Sequence, residues 1–165
     1  MLTTLEVGRL AKELDRTRVL TVYLNGRAEN PAERFVWRRL LGNAMKPLEE
    51  SFGDDAAFKA AAAALARFFT PVQGALGAPG WVVFATEEGI KHAAPLPGDV
   101  PTMARWQDGP VLAPYFAAIT DARPAVALVA DRRRTTMWHW NGETLTQGPV
   151  VEAPELPQLP DKMRN

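Results

Sequence analysis

Apolar residues along this chain follow two rhythms in alternation. Over Met1 to Leu14, Leu2, Leu5, Leu10 and Leu14 fit one face of a short helix, with Glu6, Arg9, Lys12 and Glu13 between them. Arg18 to Leu24 (RVLTVYL) is β-branched and apolar on both parities, which predicts a strand buried on both faces. Asn25-Gly26 breaks it. Asn30-Pro31-Ala32-Glu33 reads as a helix start, with Asn30 as cap and Glu33 closing a capping box. Trp37, Leu40, Leu41, Ala44 and Leu48 continue that helix until Pro47 kinks or ends it. Asp54 or Asp55 caps a second helix, whose apolar face is Phe58, Ala61, Ala62, Leu65 and Phe69.

Beyond the Thr70–Gly80 loop, Trp81 to Thr86 (WVVFAT) predicts a buried strand that turns at Glu87-Glu88-Gly89 into Ile90–Ala94. A short strand is expected at Thr102–Trp106. A helix starting near Ala113 carries Leu112, Tyr115, Phe116 and Ile119. Ala125 to Ala130 (AVALVA) is a second continuous apolar run and is expected to be a buried central strand. Thr135 to Trp140 places Trp138 and Trp140 on one face and Met137 and His139 on the other, and Asn141-Gly142 turns it into Glu143–Thr146.

These elements predict an α/β fold: a mixed β-sheet with helices packed on it, then the opening strands of a second domain. The expected divisions are 1–122, 123–148, and a proline-rich tail, 149–165, that is extended or disordered. The expected core is Leu20, Val22, Leu41, Phe58, Leu65, Val83, Phe84, Phe116, Ile119 and Leu128.

Composition narrows the chemistry. The 165 residues include no cysteine and two histidines, which excludes a disulfide framework, a thiol nucleophile and a multi-histidine metal centre. No cofactor, metal or catalytic residue is expected. No signal peptide or membrane span is expected either, so the sequence reads as cytoplasmic. With 19 basic and 19 acidic residues, any nucleic-acid binding needs a local patch. Two patches qualify. Arg27, Arg34, Arg38 and Arg39 surround the start of the first long helix, where guanidinium forks and backbone donors suit phosphate. Arg132, Arg133 and Arg134 fill a turn beside aromatic residues, a mixture suited to RNA. The plainer readings are a solvated helix face neutralised by Glu29, Glu33 and Glu49, and a charged turn that keeps a sheet end soluble. His92 and His139 lack an adjacent nucleophile, and Ser51 lies outside any nucleophile elbow.

Four stretches in order, VLTVYLNGR, RFVWRRLLGNAM, GWVVFATEEGIKHAAPLP and GPVLAPYFAAITDARPAVALVADRRRTTMWHWNGETL, resemble the class-1 translation termination (release) factor family of archaea and eukaryotes, and more closely its bacterial branch. The resemblance covers about residues 5–146. It implies the family's N-terminal domain followed by the first strands of its middle domain. It also implies partners in the ribosome, tRNA or rRNA, and peptidyl-tRNA hydrolysis by a complete member. The sequence holds no Gly-Gly-Gln, the family's peptide-release loop. Of the stop-codon-reading Asn-Ile-Lys-Ser motif, only Asn30 has a match. Expectation therefore falls on a ribosome- or RNA-docking module. The alternatives are a protein-interaction domain that kept the fold without RNA binding, and a small hydrolase using His92 or His139 with Asp131 or Asp108.

Overall fold

The computed structural model describes residues 4–26, 31–142 and 144–152. It divides into two compact units, Met1–Ala122 and Arg123–Asn165.

The first unit is built around β1 (Arg18–Asn25), β2 (Gly80–Thr86), β3 (Gly89–Leu96) and β4 (Met103–Asp108), in the order β3-β2-β1-β4. The two central strands are the two apolar runs, as their lack of alternation requires. Leu20, Val22 and Leu24 of β1, with Val83, Ala85, Ala104 and Trp106, pack under α2 (Val36–Phe52) and α3 (Ala56–Phe69) through Trp37, Met45, Phe58, Leu65 and Phe69. Val19 and Tyr23, with Val82, Phe84, Ala94 and Leu96, face α1 (Thr4–Leu14) and α4 (Ala113–Asp121) through Val7, Leu14, Tyr115 and Ala118. Helices thus cover both faces of the sheet, and β1 is buried from Val19 to Leu24.

The expected α/β class is present, but every strand pairing is antiparallel rather than mixed. The connection explains this. One helix between β1 and β2 would return the chain to the far end of the sheet and give a parallel pair. Two helices, joined by a tight turn, return it to the end it left, where Asn25 pairs with Gly80.

Asp55 organises that turn. Its Oδ1 accepts from the N–H groups of Ala57 at 2.9 Å and Phe58 at 3.3 Å, capping α3. Its Oδ2 accepts from Trp106 Nε1 at 3.1 Å and from Arg18 at 3.2 Å. The Trp106 hydrogen bond, with the cap donors and Arg18, holds this carboxyl below its ordinary range. On the opposite face of the sheet, the fully buried Tyr23 hydroxyl donates to the Val111 carbonyl at 2.6 Å, and burial pushes its pKa well above the usual value.

Three local expectations change. The first long helix begins at Val36, after a 3-10 turn at Pro31–Glu33, and its N-cap is Phe35, with no side-chain cap. Asn30, the expected cap, lies outside the described residues. Pro47 does not end α2, which runs on to Phe52. Asn43 and Pro47 are both exposed, so water can satisfy the carbonyl that proline leaves unbonded. Of the expected core, Phe116 is 37% exposed, because α4 turns Tyr115 and Ala118 inward instead. Leu41 and Ile119 are partly buried against the two clusters.

The second unit is an antiparallel sheet of β5 (Ala125–Ala130), β6 (Arg134–Trp140) and β7 (Leu145–Glu152), in that order. Here the expectation of a buried central strand fails. β5 is an edge strand exposed at all six positions, and Leu128, assigned to the core, is 62% exposed. Three strands supply no second layer within the unit, so apolar composition does not become burial. Of the proline-rich tail, expected to be extended or disordered from 149, Pro149 to Glu152 belong to β7. Register shifts between Thr136 and Trp138, which leaves Gly148 and Pro149 opposite Met137 in a bulge, where a residue without an N–H costs no ladder bond. Gly148 also sits hard against the His139 ring: an added Cβ would lie 2.9 Å from Nε2. Residues 153–165 lie outside the described residues.

Candidate nucleic-acid interface

The arginine-rich start of α2 is held to the body by two aromatic rings and a loop. Where β1 ends, Asn25 N–H donates to Thr102 Oγ1 at 3.1 Å and Gly26 N–H to the Pro79 carbonyl at 2.9 Å. A Cβ on Gly26 would lie 2.1 Å from the Ala78 carbonyl oxygen, so only glycine allows this approach. Trp37 is buried against Phe69, with ring centroids 5.2 Å apart, and its Nε1 donates to the Gly74 carbonyl at 2.8 Å. The first turn of α2 is thereby fixed to the loop before β2.

On this base stands a stack of cations and rings. The Arg34 guanidinium lies 5.1 Å from the Phe35 ring centroid, and that of Arg38 lies 5.0 Å from it. Arg38 also lies 5.3 Å from the Trp37 ring and donates to the Val72 carbonyl at 2.6 Å. Phe35 remains 38% exposed between its two arginines. Cation–π contact draws both charges onto an apolar surface that would otherwise stand bare to water. Beside the stack opens a groove of about 500 Å³, lined by Asn25, Arg34, Trp37, Leu40, Asp99 and Thr102 among others.

The structure therefore brings Arg34 and Arg38 together through Phe35. Arg39 is exposed on α2, and no ring contact among the described residues joins it to them. Arg27 lies outside the described residues. The sequence reading missed Phe35, whose place between Arg34 and Arg38 at helical spacing was the available signal. It also missed Asn25, Asp99 and Thr102, which reach the groove from separate strands and loops.

Arg132, Arg133 and Arg134 are exposed in the turn of the second unit. Asp131 Oδ1 accepts from the N–H groups of Arg133 at 2.7 Å and Arg134 at 2.8 Å, and these bonds hold its carboxyl below the ordinary range. The turn is thus built by Asp131, which leaves the three arginine side chains to solvent.

The histidines stand apart from both patches. His92 packs between Phe84 and Tyr115, with ring centroids 5.9 and 6.1 Å away. Its Nε2 is buried without a hydrogen-bond partner, and burial lowers its pKa. His139 is exposed on β6. Asp108 pairs with Arg18 at 3.7 Å, and Asp131 is engaged in its own turn. Among the described residues no cluster of three metal-ligating side chains occurs. Nor is any helix among them long and apolar enough to cross a membrane.

No family model and no curated protein matches the chain. Solved structures similar to it include two archaeal proteins. One is the archaeal translation termination factor aRF1, at 18% identity and TM-score 0.46, covering 92% of this chain and 45% of that one. The other is described as an archaeal protein, at 18% identity and TM-score 0.47, covering 92% of this chain and 46% of that one. The chain spans less than half the length of either. The likeness is one of fold, and it carries no residue role to this chain.

Proposed function

We propose that the chain is a translation-associated module that docks on ribosomal or other structured RNA through the start of α2. The observation that carries this reading is the exposed cluster of Arg34, Phe35 and Arg38, of which Arg34 also lines the adjoining groove. Guanidinium groups supply forked donors for phosphate, and a guanidinium plane resting on a ring can itself stack under an unpaired base. Arg39 and Arg27 would add positive charge near α2, and the Arg132–Arg134 turn of the second unit is a separate candidate contact. The resemblance of four segments to release factors supports the same partner class. No catalytic step is assigned to the chain.

The test is co-sedimentation with ribosomes at two salt concentrations, comparing wild type with Arg34→Gln and Phe35→Ala. Both variants should bind more weakly, and Arg34→Gln should reduce the salt slope by about 0.7–0.9 for its lost phosphate contact. A wild-type chain that never sediments at low salt overturns the docking reading. The second reading, a protein-interaction domain, is favoured by the exposed apolar strand β5 and would show binding with little salt dependence.

A further inference from the structure

The open edge of β5 has the chemistry of a self-complementary surface, and we infer that a second copy of this chain pairs with it, strand to strand, in an antiparallel two-fold dimer centred on Ala127. One side of β5 is bonded to β6, and the other carries no strand among the described residues. All six of its residues are exposed, including Val126 at 58%, Leu128 at 62% and Val129 at 64%. No proline or charge interrupts Ala125–Ala130, and native edge strands ordinarily carry such blocking devices.

Backbone geometry permits any register whose axis passes through a residue of β5, and charge selects among them. Asp131 N–H donates to the Arg134 carbonyl across the turn at 2.9 Å. With period two, Ala125, Ala127 and Val129 then turn their backbone groups toward β6, and Val126, Leu128 and Ala130 turn theirs to the open edge. Centring the axis on Ala127 sets Val126 opposite Leu128 of the partner subunit, so that these outward groups exchange N–H···O bonds. Ala125 falls opposite Val129 of the partner subunit, small against large. At both ends, the exposed Arg123 meets Asp131 of the partner subunit. Moving the axis to Leu128 would set Arg123 against Arg133 of the partner subunit, and moving it to Val126 would leave Arg123 opposite Val129 of the partner subunit with no anion. All three registers set outward groups opposite outward groups, and only the one centred on Ala127 pairs the charges; in it Ala130 falls opposite Pro124 of the partner subunit, which accepts one bond and donates none.

The register is testable because the chain has no cysteine of its own. Ala127 would face itself as a non-hydrogen-bonded pair, with Cα atoms about 4.5 Å apart, inside the range a disulfide tolerates. Under mild oxidation Ala127→Cys should form a cross-linked dimer at least ~10-fold faster than Ala125→Cys, whose equivalents would lie about 14 Å apart along the strands. Untagged wild-type chain, followed by sedimentation equilibrium from about 1 to 100 µM, should shift from monomer to dimer as concentration rises. Leu128→Lys, at an exposed position, should remain monomeric over the same range, and Arg123→Glu should weaken association. A wild type monomeric throughout overturns the inference. So does equal cross-linking of Ala125→Cys and Ala127→Cys.

Discussion

β2 and β5 are two apolar strands of similar length in different settings. WVVFAT and AVALVA are both short, uncharged and apolar on both parities. In β2, Val82, Val83, Phe84 and Ala85 are at most 1% exposed, whereas every residue of β5 faces solvent. WVVFAT is richer in aromatic and β-branched residues and AVALVA in alanine, yet both form strands, and that difference does not say which one is covered. β2 lies inside a four-stranded sheet with a helix pair on one face and α1 with α4 on the other. β5 lies at the edge of three strands with no layer of its own. Burial is thus a property of the layers around a strand, and a continuous apolar run states only that two faces need cover.

The contrast breaks most readily at the core. Phe58 is buried against Phe52 and Trp106, and Phe58→Ala should cost about 3–5 kcal/mol in urea unfolding. Val129→Ala on β5, measured at or below about 1 µM where the chain is monomeric, should stay within about 0.5 kcal/mol, as exposed substitutions do. Similar losses would mean that β5 is covered in solution, either by the strand-to-strand dimer or by another partner.

A smaller effect is expected at the turn between α2 and α3. Asp55→Ala removes the α3 cap and the acceptor for Trp106 and Arg18, and should lower the melting temperature by about 5 °C. Asp55→Asn keeps an acceptor for the cap and should recover part of that loss. Because this carboxyl titrates below its ordinary value in the folded chain, its contribution is present at neutral pH. It is lost as pH falls below the unfolded carboxylate value and through the lowered folded one.

Next come the two stacked arginines, which differ although their spacing makes them look alike. Arg38→Gln loses the bond to the Val72 carbonyl and the contact with Trp37, and should cost about 1 kcal/mol. Arg34→Gln should cost under about 0.5 kcal/mol, so it is the cleaner probe of binding. Equal losses in thermal melts would show that the Val72 contact contributes nothing.

The smallest effect separates the units by pH. His92 is held neutral by burial, so protonation favours the unfolded chain. Stability of the first unit should be flat above about pH 6.5, the ordinary imidazole value, and decline below it. His92→Phe should remove that decline, and a chemical-denaturation series across pH 5 to 8 reads it directly.

Local chemistry made much of the first unit legible in advance. RVLTVYL and WVVFAT require two-faced burial, Asp55 precedes a clean helical face, and Pro114 begins a helix near Ala113 as expected. The helix start near Asn30 was misplaced because its residues carry strong capping propensity, while Trp37 and Arg38 are fixed by the carbonyls of Gly74 and Val72 from a distant loop. The arginines of the candidate interface are visible as charge and Phe35 between them as spacing, but the groove beside them exists only when α2 and the strand ends meet. Periodicity and capping are written within a few residues, so the sequence alone determined which segments are helix or strand. Direction of pairing, which apolar strand is covered, and which arginine is tied down depend on groups tens of residues apart, and only the tertiary structure decided them.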